Sequence, residues 1–242
     1  MKKNTFRIET DSLGKVKVPK NAYYGAQTQR ALDNFKISGI TFDPVFIQSL
    51  ASLKQACAIA NMKCKTLTKN KANCISGISK KISNNTLDYI DHFPIDIFQT
   101  GSGTSTNMNM NEVISEIAKR NFKQEIHPND DVNMSQSSND VIPTTINVAS
   151  LSMSKTLSTS LGFMSESLNS KAITLSHVIK SGRTHLMDAV PISFEQELNV
   201  WEEQVRASQA QIDLSCEEIS YLPIGGTAIG TGINAPKTFS KN

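Results

Sequence analysis

Three short polar runs in this chain hold the residue types that bind small anions and move protons. The first covers residues 100–107 (TGSGTSTN). Ser102, Thr104 and Asn107 offer neutral donors, and Gly101 and Gly103 let backbone N–H groups approach an anion. A helix is predicted to begin just after this run, which adds the positive end of its dipole. The same composition also suits a polar loop with an ordinary N-cap. No Gly-Lys-Ser/Thr follows, so it is not a P-loop. The second run is Ser137-Ser138-Asn139-Asp140, at the start of a long helical pattern. One such residue caps a helix. Four in succession leave spare hydroxyls at the helix's positive end, where a carboxylate binds well. The third is Gly182-Arg183-Thr184-His185, read as a loop between two long helices. Gly182 fits the position just past a helix C-terminus. Thr184 is a donor, and His185 exchanges protons near neutral pH. A lone histidine in a polar loop is also an ordinary surface residue.

Other candidates carry less. Residues 127–131 (HPNDD) contain one histidine and two carboxylates, but the proline and tight spacing make joint metal ligation awkward, and a structural turn fits better. His92 and His177 show no partner in the sequence. There is no nucleophile elbow, dinucleotide fingerprint or zinc spacing. The chemistry thus points to anion-binding loops at helix ends. A small dicarboxylate, whose two charges need two clusters of donors, is a suitable ligand.

The elements that must position these runs are mostly helical. Residues up to about 45 read as irregular, punctuated by Gly14, Pro19, Gly25 and Gly39. Helices are predicted over 46–62, from 69 to about 89, and over 108–122, with a loop at 93–103 and a turn-rich link at 127–131. From 140 to 179 apolar residues recur in steps of three and four, predicting one helix of roughly 60 Å with Pro143 in its first turn. Ser193 and Gln196 form an S-x-x-Q capping box that opens a second long helix, which Pro223 ends. Residues 224–234 (IGGTAIGTGIN) read as a turn. Two long antiparallel helices imply a bundle, and their apolar stripes call for further helices or subunits.

Composition excludes several classes. The 242 residues carry Lys plus Arg 25 against Asp plus Glu 22, a net charge of +3. That excess is small and scattered, so nucleic acid is not the expected partner. The basic run at 63–71 reads as a solvated helix end and loop. Cys57, Cys64, Cys74 and Cys216 form no C-x-x-C pair and read as free thiols in a reducing compartment. Residues 1–11 lack the apolar core of a secretory signal, and no apolar run approaches the roughly 20 residues of a membrane span. A cytoplasmic location is expected.

Taken in order, the runs 24–30 (YGAQTQR), 99–104 with 107–112, 127–132, 135–140, 182–186 and 225–234 resemble the fumarase/aspartase superfamily, and within it the class II fumarate hydratases. Related aspartate ammonia-lyases typically have Ala, Thr and Gln in place of Ser102, Ser138 and His185. The resemblance implies an all-α fold, with a small, mostly helical N-terminal domain over 1–136 and the first part of a long-helix bundle over 137–242. It implies reversible hydration of fumarate to (S)-malate by a homotetramer, with no metal or organic cofactor. Ser102, Gly103 and Thr104 would hold a substrate carboxylate, helped by Asn107. Ser137, Ser138 and Asn139 would act from a neighbouring subunit, and Thr184 from a third. His185 would take part in proton transfer through a water. His127, Pro128, Asn129 and Asp130 would form a second, non-catalytic dicarboxylate site. An ammonia-lyase of the same fold and a non-enzymatic scaffold are the competing expectations.

The chain departs from the family pattern in three places. The loop G-S-S-x-M-P-x-K-x-N-P, which in the family supplies a serine base and substrate-holding Lys and Asn, does not occur in the 242 residues. These residues taken alone are therefore read as a truncated N-terminal portion, inactive by itself. Gln124 stands where some fumarases have Arg near the second site. Phe194-Glu195 replaces a common Leu-Gly.

Overall fold

The computed structural model describes residues 5–242. Two compact units divide it. The first contains the residues up to Ala149 together with Leu222–Asn242, and the second is Ser150–Tyr221.

The first unit opens with a hairpin, β1 (Phe6–Asp11) and β2 (Gly14–Pro19), paired antiparallel from Phe6↔Pro19 to Asp11↔Gly14. The stretch read as irregular thus contains a short sheet and then α1 (Ala26–Asn34). Strands this short and alternating give little period to detect against a Lys-rich background. The signal-peptide reading of residues 1–11 falls partly on residues 1–4, outside the described residues; the remainder belongs largely to β1.

Four helices follow. α2 (Pro44–Lys63) is capped by Asp43, whose side chain accepts from Val45 N–H, with Pro44 in the first turn. α3 (Lys69–Asn84) and α4 (Thr86–Tyr89) divide the helix predicted from 69 to about 89, since Asn85 leaves the helical conformation at φ −131°. α5 (Thr104–Ile117) starts inside the first polar run rather than after it, and runs on into a wider turn at Ala118–Phe122. Ile47, Leu50, Ile75, Ile78, Met110 and Ile114 are almost wholly buried at the centre of this unit. Each contributes roughly 1.5–3 kcal/mol by leaving water.

α6 (Ser138–Thr174) is about 55 Å long. Its early residues, including Val141 and Ala149, are buried in the first unit. Pro143 lies inside the helix and not in its first turn, because the helix starts earlier than its apolar period indicates. α7 (Phe194–Ile219) opens with the predicted capping box: Gln196 N–H donates to Ser193 Oγ at 3.1 Å, and Ser193 N–H to Gln196 Oε1 at 3.0 Å.

Within the second unit α6 and α7 are antiparallel. Gln209 Nε2 donates to Ser158 O at 2.8 Å, and Ser165 Oγ to Glu202 Oε1 at 2.6 Å, so one partner advances as the other retreats. The connection is a hairpin, β3 (Ile179–Thr184) and β4 (Met187–Ser193), not the loop expected. The helices keep apolar residues in water: Met153, Leu157, Met164, Trp201 and Leu214 are all about half exposed or more.

Candidate functional site

The first two polar runs meet in the first unit, at the adjoining starts of α5 and α6. Thr100 C=O accepts from Gly103 N–H at 2.8 Å, closing a turn that delivers the chain to α5. Gly103 precedes the helix at φ +65°, a left-handed conformation that costs an L side chain roughly 1–2 kcal/mol. A Cβ there would also lie 3.0 Å from the Ile142 side chain, so glycine lets the start of α5 lie against α6. The Ser102 and Thr104 hydroxyls are exposed and 2.8 Å apart.

Asn107 is the junction. It is buried, and its Nδ2 donates to Ser138 Oγ at 3.0 Å and to Asn133 Oδ1 at 3.1 Å. Both of its N–H groups are therefore used, while its Oδ1 has no protein partner. Asn107 of the first run and Ser138 of the second are hydrogen-bonded within one chain.

Asp140 fixes the start of α6. Its Oδ1 accepts from Ser137 N–H at 2.9 Å, and its Oδ2 from Gly225 N–H at 3.0 Å and Thr227 N–H at 2.9 Å. Asn139 Nδ2 donates to Ala228 O at 2.8 Å. The Gly/Thr-rich segment at 224–234, read from the sequence only as a turn, is thus held beside the second polar run. Since Asp140 satisfies the backbone around Ser137, the helix start does not consume the Ser138 hydroxyl.

The segment before Ser137 is anchored on α2. Asn61 Nδ2 donates to Met134 O at 2.9 Å, and Ser135 Oγ to Asn61 Oδ1 at 2.7 Å. Lys54, fully buried, donates to Asn133 Oδ1 at 3.0 Å and to Gln136 Oε1 at 2.9 Å. Burial pushes its ammonium down to about 7, against the opposing pull of Cys57 and Asp140. Burial also pushes the Cys57 thiol up to about 12. On the other side of α5, Glu112 accepts from Gly25, Gln27 and Thr28 N–H and from the Thr28 hydroxyl. It thereby orders the run at 24–30.

The third run lies in the second unit. Gly182 is a strand residue beside a bulge, not a helix terminus; a Cβ there would come within 2.7 Å of Val190 O. Thr184 and His185 are exposed at the hairpin tip. His185 and Leu186 have φ of 49° and 61°, the signs required of the two central residues of a tight hairpin turn. Neither is glycine, so strain is stored at the residue with the most reactive side chain of the run.

At 127–131, Asp131 accepts from His127 N–H at 2.8 Å and binds Lys71 Nζ at 2.6 Å, which pins the turn Pro128–Val132. His127 Nδ1 accepts from Asp130 N–H at 3.0 Å. His127, Pro128 and Asn129 border a cleft of about 480 Å³ that also presents Glu9, Glu112 and Lys119. Gln124 keeps its Oε1 buried without a partner. Among the described residues no group of three or more His, Cys, Asp or Glu side chains is placed to hold a metal ion, and no helix is long and apolar enough to cross a membrane. His92 does have a partner: its Nδ1 accepts from Tyr23 N–H at 3.4 Å, and its ring meets that of Tyr23 edge-on. Burial lowers its pKa.

A helical chain with hydroxyl and amide donors gathered at two helix starts defines a class that comparison with known proteins identifies. Residues 14–242 match the family model described as lyase, and the chain belongs to that family. Its relatives include the class II fumarate hydratase of Xylella fastidiosa (strain Temecula1 / ATCC 700964), 45% identical over 238 residues, covering 98% of this chain and 50% of the relative. That of Corynebacterium efficiens is 48% identical over 240 residues, covering 99% and 50%. Among solved structures, the class II fumarase of Schistosoma mansoni superposes with a TM-score of 0.89 at 37% identity, covering 98% of this chain and 51% of that one. A fumarate lyase:delta crystallin from Brucella melitensis gives 0.90 at 39% identity, covering 98% and 53%. The chain spans about half the length of the curated relatives it matches.

Proposed function

We propose that this chain forms the carboxylate-holding part of a fumarate hydratase, which interconverts fumarate and (S)-malate in the tricarboxylic acid cycle. The observation that carries the proposal is the meeting of the two donor runs through Asn107 and Ser138 at adjoining helix starts. Ser102, Gly103 and Thr104 bind one carboxylate. Ser137, Ser138 and Asn139 bind beside it, and Asn107 acts by orienting Ser138. Removing the C3 proton of malate loads negative charge onto a carboxylate, and fixed hydroxyl and N–H donors stabilise that charge without reorganising. Thr184 and His185 serve the site of another subunit, His185 in proton transfer. His127, Pro128, Asn129 and Asp130 form a second dicarboxylate site.

The assembly is a homotetramer; the half-exposed apolar residues of α6 and α7 support it, since they need partners along both helices. In this reading residues 1–136 are the N-terminal domain and 137–242 open the bundle. Four free cysteines support a cytoplasmic location. The test follows fumarate absorbance with the intact gene product, in water and with added ammonia. Loss of absorbance without ammonia is expected, and residues 1–242 alone are expected to give none. Turnover that requires ammonia, or no turnover by the intact product, refutes the proposal.

A further inference from the structure

Lys54 lies on the buried face of α2, fully enclosed, with no carboxylate among the described residues bonded to its ammonium. A buried cation is costly, and its two observed acceptors are both side-chain amide oxygens. Each amide is then fixed on its nitrogen side. Asn133 Nδ2 donates to Gln136 O at 3.2 Å, and Gln136 Nε2 to Val132 O and Met134 O, both at 3.0 Å. Neither amide flips without setting its N–H groups against the ammonium.

The fixed polarity continues outward. Asn133 Oδ1 faces α5, where it also accepts from Asn107 Nδ2 at 3.1 Å and Asn111 Nδ2 at 3.3 Å. Asn107 must present nitrogen to that oxygen, so its other N–H reaches Ser138 Oγ at 3.0 Å. Ser138 Oγ accepts there, and its own proton is left to donate elsewhere.

We propose that Lys54 is a positioning residue for the substrate site, setting through Asn133 and Asn107 the direction in which the Ser138 hydroxyl donates. The relay runs from ammonium to amide oxygen, from amide N–H to hydroxyl oxygen, and from the hydroxyl proton to a ligand carboxylate. Every link has one orientation because the Lys54 N–H donors stand at its head, against the oxygens of Asn133 and Gln136. The charged or titratable groups that face Lys54 are Cys57 on its own helix and Asp140 at the start of α6. The 133–137 segment and α5 bring Asn133, Gln136, Asn107 and Asn111, which carry no charge. The assignment rests on the fumarate hydratase reading for the identity of the ligand.

A double-mutant cycle on the intact gene product tests it, with succinate as a non-reacting probe and its Kd read by calorimetry. Lys54→Met and Ser138→Ala are each expected to weaken succinate binding about tenfold or more, on the scale of one lost charge-assisted hydrogen bond. The double variant is expected within about twofold of Ser138→Ala, since Lys54 acts only through that hydroxyl. Multiplying effects, or a Lys54→Met Kd within about twofold of wild type, overturn the relay. A general loosening of the fold gives multiplying effects. Should Lys54→Met not fold, Asn133→Leu interrupts the same relay and is held to the same non-additivity. Wild type that binds succinate without hydrating fumarate overturns the functional reading alone. Wild type that does neither overturns both.

Discussion

Replacing Lys54 by methionine keeps an unbranched side chain, one atom shorter, and deletes its charge and its donors. The stability of that variant relative to wild type is expected to change sign with pH. Burial lowers the Lys54 pKa from 10.5 to about 7 in the folded chain, while the unfolded chain keeps the ordinary value. Below pH 7 both states hold the proton, and the folded state carries the full cost of a buried cation. Between pH 7 and 10.5 the unfolded state binds a proton that the folded state lacks, so wild-type stability rises by about 1.4 kcal/mol per pH unit. Across the window the gain is about 5 kcal/mol. Methionine removes this cost but leaves Gln136 Oε1 without its Lys54 donor, at about 1–3 kcal/mol. Asn133 Oδ1 keeps Asn107 and Asn111. Below pH 7 the variant is therefore expected to be more stable by about 2–4 kcal/mol, and above pH 10.5 less stable by about 1–3 kcal/mol. The two stability curves cross between roughly pH 8 and 10. Urea unfolding of both proteins, followed by far-ultraviolet circular dichroism from pH 6 to 10.5, measures the difference directly. A difference that stays constant over that range refutes the burial argument.

Three further outcomes follow from the geometry. Gly103→Ala forces a side chain into a left-handed conformation against Ile142. It is expected to cost about 1–3 kcal/mol of stability in urea melts and to weaken succinate binding. Asp140→Ala orphans the Ser137, Gly225 and Thr227 N–H groups. A loss of about 3 kcal/mol or more is expected, with faster amide hydrogen exchange over residues 224–228; unchanged exchange there counts against the role given to Asp140. Leu186→Asn places a residue tolerant of positive φ in the strained hairpin turn. It is expected to stabilise the hairpin by about 0.5–1 kcal/mol, seen as slower exchange in β3 and β4.

Long helices and polar runs were legible in the sequence because each leaves a local mark. The three-and-four spacing of apolar residues announced α6, and the Ser193/Gln196 capping box announced α7, since both depend on neighbours within one or two turns. The short strands β1 to β4 were not legible. A strand of six or seven residues with one solvated face has too few alternations to stand out, and Gly182 reads as a helix stop although it lies in a strand close against Val190 O.

By itself, the sequence singled out the residues proposed to hold a dicarboxylate, Ser102, Thr104, Ser137, Ser138, Thr184 and His185, by type and grouping alone. Hydroxyls, glycines and a histidine carry their chemistry wherever they are placed. Only the tertiary structure decided how the donors are oriented. Lys54 sits within an apolar stripe beside Leu53 and Cys57, and a lysine there reads as an interruption until Asn133 and Gln136, some eighty residues later, close on it. Likewise Asp140 reads as a spare cap until Gly225 and Thr227 arrive. A hydrogen bond between distant segments leaves no period in the chain. Its direction is set by what else is buried beside it, and burial is a property of the fold.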